Sequence, residues 1–272
     1  MKKRILVTGS KGFIGSHLIP ELKKSYDVAE WDLVDKKDIF DADFPIMVKN
    51  CDVVIHLAAE TSVNDSFNRE RDFMELNVLG TARVAELCLK YGKKLIFPST
   101  GAYYNRGLSP YAQSKSLADD ICQALQKFHP VTILRFFNIY GTNMNERTGS
   151  ILYNFAQAAV KKEKIVIFGS GDQTRDFISV KDVAKIVKAA IDPSWDGKIV
   201  DVGTGEEYTI NYVAELFSHY TNGKLAYQDL PKREIKWSIA NTGLLKTLYK
   251  KPLESNLKKD IKEIVDYYGK TN

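Results

Sequence analysis

Short apolar runs alternate along the chain with longer stretches in which apolar positions recur at helical spacing. RILVTG, DVAEWD, DVVIHLAA and KLIFPST read as strands, and VTILRFFNIYG as a strand running into a loop. Between them, FIGSHLIPELKK, the stretch from about Arg71 to Tyr91 containing ELNVLGTARVAELCLKYG, and the stretch from Tyr111 to about Gln126 read as helices. Strand following helix in this order predicts an α/β fold, a doubly wound parallel sheet.

The first strand–helix junction carries chemistry. Between Thr8 and the helix that starts near Phe13 lies G-S-K-G-F-I-G, with glycines at 9, 12 and 15. The first glycine permits a tight turn, the second lets backbone approach a pyrophosphate, the third allows close packing, and the helix N-terminus faces the anion. Asp32 closes the second strand, where a carboxylate accepts hydrogen bonds from ribose hydroxyls and repels a 2′-phosphate. Together these predict a dinucleotide site for NAD rather than NADP. Asp35 stands close by, so a solvated loop acid is the plain alternative for Asp32.

A second candidate lies in STGAYYNRGLSPYAQSK, from Ser99 to Lys115. Pro110 suits the first helical position and Ser109 the N-cap. Tyr111 and Lys115 then share one helix face. An ammonium beside a phenol favours the phenolate, which free tyrosine reaches only near ~10. On spacing alone, a surface Tyr–Lys pair accounts for the pattern first.

Composition narrows the class. The 272 residues are 44% hydrophobic and 27% charged, with net charge +5, in the ordinary globular range. The lysines come in scattered pairs, without the basic run of a nucleic-acid arm. Cys51, Cys88 and Cys122 are widely spaced in apolar surroundings, which reads as reduced core thiols of a cytoplasmic protein, not disulfides or a metal site. No apolar run approaches membrane-spanning length.

Taken in order, these motifs resemble the extended short-chain dehydrogenase/reductase family, in its nucleotide-sugar epimerase/dehydratase branch. VTGSKGFIGSHL, with Gly9, Gly12, Phe13, Ile14 and Gly15, is similar to its cofactor turn. Asp38–Ile39 resembles the acidic dipeptide that contacts adenine. Leu57, Ala58 and Ala59 match the segment running along the cofactor, and Asn77 an asparagine near it. FPST places the family's catalytic hydroxyl on Thr100, and PYAQSK supplies Tyr111 and Lys115. RFFNIYG offers Asn138 for a substrate phosphate, and GSGDQTRDFISVKDVAK offers Arg175 for the diphosphate. Arg233 is a looser match to a nucleotide contact. Asn138 as a turn residue, Thr100 as a turn cap and an internal Arg175–Asp176 ion pair are the plain alternatives.

The resemblance implies a Rossmann fold with a smaller carboxy-terminal substrate-binding lobe. Residues 1–141 plus about 176–203 would hold NAD, and about 142–175 plus 204–272 a nucleotide-diphosphate sugar. It implies that Tyr111 takes a sugar hydroxyl proton, that Thr100 hydrogen-bonds the same oxygen, and that Lys115 binds the nicotinamide ribose and holds down the tyrosine pKa. It also implies a homodimer through a four-helix bundle, built from the helices of Asn77 and Tyr111. The 4,6-dehydratases of this branch carry an Asp–Glu pair after the threonine, where Gly101 and Ala102 stand here. The stretch from Thr100 to Tyr111 is short, and that from Asp32 to Asp38 leaves no room for a helix. An epimerase with resident NAD is the reading that results. A reductase or dehydrogenase of nucleotide sugars is the alternative, and a cofactor-sensing protein without catalysis a third.

Overall fold

A computed structural model describes residues 2–229 and 235–271. Arg233 lies outside the described residues. The strands are β1 (Arg4–Thr8), β2 (Asp27–Trp31), β3 (Val53–His56), β4 (Lys94–Thr100), β5 (Val131–Phe136), β6 (Asn138–Tyr140), β7 (Ile165–Phe168), β8 (Thr174–Arg175), β9 (Phe177–Ser179), β10 (Ile199–Val202), β11 (Tyr208–Thr209), β12 (Leu225–Gln228) and β13 (Trp237–Ser238). The helices are α1 (Phe13–Lys23), α2 (Phe44–Lys49), α3 (Val63–Ser66), α4 (Glu70–Phe73), α5 (Thr81–Tyr91), α6 (Pro110–Gln126), α7 (Ile151–Val160), α8 (Val180–Ala189), α9 (Ile210–Thr221), α10 (Gly243–Leu248) and α11 (Leu257–Thr271).

Six strands form one parallel sheet in the order β10-β5-β4-β3-β1-β2, reversing direction of growth at β1/β3 as a doubly wound Rossmann sheet does. β3, β4 and β5 are almost wholly buried, which is why they read as unbroken apolar runs. α1 and α8 pack on one face with Leu18, Leu22, Val183, Ile186 and Val187. α5 and α6 pack on the other with Val84, Cys88, Ala118 and Cys122. The three cysteines are free and buried there. A separate core joins α7, α9 and α11 through Phe155, Phe217, Ile261 and Tyr268. α10 instead turns Leu245 onto the core of the large sheet.

Three local expectations change. The helix predicted from Arg71 to Tyr91 is continuous but widens into a π-helical stretch at Met74–Gly80, which carries Asn77. VTILRFFNIYG does not stay in one strand: it breaks at Phe137, and β6 pairs with β9 outside the main sheet. The Asp32–Asp38 connection does hold a helical turn, a 3-10 stretch over Leu33–Asp35 capped by Asp32. Among the described residues no helix is long and apolar enough to cross a membrane.

Candidate active site

The glycine turn sits at the carboxyl end of β1. Gly9 has φ +67°, and a Cβ there would lie 2.6 Å from the Ala58 nitrogen, so only glycine lets the β3 exit pass so close. Gly15 presses on the turn itself: its Cβ would lie 2.5 Å from the Gly9 and Ser10 carbonyl oxygens. Gly12 faces open space, with only the Gly9 oxygen at 3.3 Å. α1 starts after Gly12 without a side-chain cap, and the buried Ser10 hydroxyl has no partner among the described residues. Uncapped amides beside a glycine-lined cradle suit a dinucleotide pyrophosphate. Asp32 closes the rim: Lys11 N–H donates to its Oδ2 at 2.8 Å and Val34 N–H to its Oδ1 at 3.0 Å. Asp38 Oδ1 accepts from Phe40 N–H at 3.0 Å. The Ile39 side chain is buried beneath Gly80, and its carbonyl accepts from Arg83 Nε at 2.8 Å.

β3 delivers Leu57, Ala58 and Ala59 half-buried beside that turn. Ala58 N–H donates to Thr8 Oγ1 at 3.3 Å, and Thr8 Oγ1 lies in hydrogen-bond contact with His56 Nδ1 at 2.7 Å. His56 Nε2 lies in hydrogen-bond contact with Thr81 Oγ1 at 3.3 Å. Burial pushes the His56 pKa down to about 3, with the Lys115 charge acting in the same direction, so the imidazole is neutral. Glu60 N–H donates to Asn77 Oδ1 at 2.9 Å, and Asn77 Nδ2 donates to Glu60 O and to Ser114 Oγ, each at 3.0 Å. Asn77 thus clamps the β3 exit to α6. His56 and Ser114 were not singled out from the sequence, because their partners lie on distant strands and helices.

α6 begins at Pro110, and Ser109 Oγ accepts from Ala112 N–H at 3.1 Å. Tyr111 sits in its first turn, edge-on to Phe73 at 6.4 Å between ring centres. Thr100 ends β4 and its Oγ1 accepts from Ala102 N–H at 3.1 Å, leaving its own proton free to donate. Burial raises the Tyr111 pKa, and a hydrogen bond with Thr100 pulls it back. The lysine behaves differently from expectation. Lys115 is buried, its Nζ donates to Pro98 O at 2.8 Å, and it lies 4.3 Å over the Phe97 ring. Its pKa is lowered to about 8 by burial. Sharing a helix face fixes where the Lys115 side chain starts, and the strand below, through Pro98 O, fixes where its end binds.

The second cluster gathers at the ends of β6 and β8. Asn138 Nδ2 donates to Asp176 O at 3.0 Å. Arg175 lies in register between Tyr208 and Ser238, half-buried, and its Nη1 donates to Thr174 O at 2.8 Å. Asp176 accepts from other donors: Thr204 N–H and Gly205 N–H at 2.8 and 2.9 Å, Ala240 N–H at 3.2 Å and the Thr204 hydroxyl at 2.7 Å. Phe137 joins the two clusters, since a Cβ on Gly101 would lie 3.0 Å from its ring.

A parallel sheet with a glycine turn at β1, an acid closing β2 and a Thr–Tyr–Lys set at β4 and α6 defines a nucleotide-cofactor oxidoreductase-type site. Residues 5–203 match the family described as "NAD dependent epimerase/dehydratase family", and the chain belongs to it. It is an NAD-dependent enzyme of that family. A relative from Methanocaldococcus jannaschii, provisionally named a UDP-glucose 4-epimerase, is 31% identical over 98% of this chain and 99% of its own. The UDP-N-acetyl-alpha-D-glucosaminuronate decarboxylase of Bacillus cytotoxicus is 32% identical over 86% of this chain and 85% of its own. The solved UDP-N-acetylglucosamine 4-epimerase of Methanobrevibacter ruminantium, in complex with UDP-N-acetylmuramic acid, superposes with a TM-score of 0.91 at 28% identity over 100% of both chains.

Proposed function

We propose that this chain is a nucleotide-sugar 4-epimerase acting on a UDP sugar, with NAD as a resident cofactor. The observation that carries the reading is the corner after Thr100, where Gly101 and Ala102 follow a hydroxyl that accepts from Ala102 N–H at 3.1 Å. Gly101 and Ala102 offer no acid or base to expel water, and the Phe137 ring, 3.0 Å from a Cβ built on Gly101, crowds that position.

NAD, when bound, accepts hydride from a sugar carbon and returns it. Gly9, Gly12, Phe13, Ile14 and Gly15 would hold its pyrophosphate, Asp32 its adenosine ribose, Asp38 and Ile39 its adenine, and Leu57, Ala58, Ala59 and Lys115 its nicotinamide half. Asn77 holds that side together from behind. Tyr111 takes the proton of the sugar hydroxyl and gives it back. Thr100, with its proton free, donates to the sugar oxygen as that oxygen becomes a carbonyl. Arg175, with Asn138, grips the diphosphate, and its planar fork suits that group. We assign residues 1–141 plus about 176–203 to the cofactor and about 142–175 plus 204–272 to the sugar nucleotide, with α10 bracing the cofactor side. The outward apolar residues Leu79 and Leu89 on one helix and Leu117 and Phe128 on and beyond its neighbour support a homodimer through these helices. Reduced, buried cysteines fit a cytoplasmic setting.

The test is to purify the protein, assay its denatured supernatant for NAD, and incubate the intact protein with UDP-glucose, UDP-N-acetylglucosamine and UDP-glucuronate. Stoichiometric NAD and the appearance of the 4-epimer by proton NMR are expected. Net consumption of added NADH would make it a reductase, and carbon dioxide from UDP-glucuronate would align it with its decarboxylase relative.

A further inference from the structure

Behind the reacting groups lies a buried ion pair that the reaction itself does not use. Tyr111, Lys115 and Asp119 fall four residues apart on one stripe of α6. Asp119 is fully buried and Arg135, on β5, nearly so. Arg135 Nε donates to Asp119 Oδ2 at 3.0 Å and Nη2 to Oδ1 at 3.1 Å, a two-pronged contact. Asp119 also accepts from Ser99 Oγ at 2.6 Å and Gln123 Nε2 at 2.7 Å. Ser99 is the residue immediately before Thr100.

The remaining arm of Arg135 points at the segment between Thr100 and Tyr111. This segment is a 3-10 stretch, Gly101–Leu108, kinked at Asn105, whose backbone is non-helical. Arg135 Nη1 donates to the Tyr104 hydroxyl at 3.1 Å, and that hydroxyl donates to Asp201 Oδ1 at 2.9 Å. The guanidinium carbon lies 3.6 Å over the Tyr103 ring. One side chain therefore fastens the end of β4, the catalytic helix and the link between them. A buried ion pair contributes little net stability over an apolar packing of equal volume, so its geometry is the better guide to its use.

Resting on the epimerase reading, we propose that Arg135, with Asp119 and Tyr104, is a positioning unit for catalysis: it holds Thr100 and Tyr111 in register by docking the Gly101–Leu108 segment onto the sheet. The separation of two reacting groups held by a short segment is sensitive to small slips, and a misplacement of about 1 Å can lower a rate about a hundredfold.

The test uses the intact NAD-loaded protein with whichever of UDP-glucose, UDP-N-acetylglucosamine and UDP-glucuronate the wild type epimerises. Tyr104→Phe removes one hydroxyl and leaves the Arg135–Asp119 pair in place. The expected result is a fall in kcat of about tenfold with KM and melting temperature unchanged. Arg135→Lys keeps a cation against Asp119 but loses the fork and the stacking on Tyr103, and kcat is expected to fall about a hundredfold. The double variant should be no slower than Arg135→Lys alone, because both changes break the same link. Hydrogen exchange adds a reading that needs no turnover: amides of the 101–108 segment should exchange faster in either variant, while those of β10 stay protected. Wild-type kcat in folded Tyr104→Phe, additive losses in the double variant, or unchanged exchange in the segment would each overturn the proposal. A wild type that turns over none of the three sugars defeats the epimerase reading instead, and the exchange comparison then decides the docking by itself.

Discussion

Two glycine-rich corners of this fold each place an aspartate beside a strand end, and they use it in opposite ways. At the corner after β1, Asp32 accepts one amide hydrogen bond on each oxygen and remains half-buried at the rim. At the corner between β8 and β9, Asp176 is fully buried and accepts from two donors on each oxygen, drawn from two other segments of chain. A carboxylate has about four acceptor positions. Asp176 has filled them, and Asp32 retains room for ribose hydroxyls. The same residue type thus keeps free acceptor positions in one place and is a rivet in the other. The neighbour of Asp176, Arg175, donates instead to Thr174 O at 2.8 Å.

The largest expected break is at Tyr111, proposed above as the group that exchanges the sugar proton. Tyr111→Phe keeps the ring against Phe73 and deletes only the hydroxyl. Turnover of a UDP sugar is expected to fall by about 10² to 10⁴, the usual value of a positioned acid–base group. NAD content and melting temperature should match the wild type. Near-normal turnover in this variant would remove the phenol from the mechanism.

Next in size is the rivet. Asp176→Asn sets an amide NH₂ where an oxygen now accepts from backbone N–H groups, leaving buried donors unmatched. The expected loss is about 3 kcal/mol, the range for buried unsatisfied groups with a charged partner. Urea unfolding of wild type and variant measures it. A loss below about 0.5 kcal/mol, the scatter of ordinary surface substitutions, would mean that Asp176 is not structural.

His56 tests whether the cofactor side also has rivets. Its folded pKa is depressed to about 3, below its ordinary ~6.5. Between those values the unfolded chain takes up a proton that the fold excludes, so stability is lost as pH falls from about 6.5. From pH 7 to pH 5 the linkage amounts to about 2 kcal/mol. Urea unfolding at both pH values should show that loss in the wild type and its absence in His56→Asn. Equal pH dependence in the two proteins would mean that His56 is not held neutral between Thr8 and Thr81.

These contrasts also mark what the sequence could reveal. The glycine turn, the Ser109–Pro110 helix start and the strand that ends in Thr100 depend on residues within a few positions of each other, and each was legible. Asp176 was not, because its donors lie 28, 29 and 64 residues away. The Arg135–Asp119 pair joins a strand to a helix, and nothing in either local pattern signals it. The π-helical stretch hid for another reason: one widened turn leaves the apolar periodicity of the helix almost unchanged, yet it sets Asn77 against Glu60 and Ser114. The acceptor for the end of Lys115, Pro98 O, belongs to β4, which no local pattern around Lys115 signals.

The smallest expected effect belongs to Asp32, and it sharpens the comparison most directly. Asp32→Asn preserves shape and one acceptor oxygen, so the turn over Leu33–Asp35 should persist and urea unfolding should change by less than about 0.5 kcal/mol. The same exchange at Asp176 is expected to lose several times as much. What Asp32→Asn removes is charge: ribose hydroxyls lose a charge-assisted acceptor, and a 2′-phosphate loses a repelling neighbour. A net contribution of about 1 kcal/mol for such a hydrogen bond corresponds to roughly fivefold weaker NAD binding. NADP binding should stay level or improve, since Lys11, now 3.7 and 3.8 Å from Glu30 and Asp35, is the nearest cation of the turn. Isothermal titration of protein stripped of cofactor, with NAD and NADP in parallel, reads both changes. An unchanged NAD to NADP affinity ratio would place Asp32 with Asp176, as a residue that holds the fold and does not select the ligand.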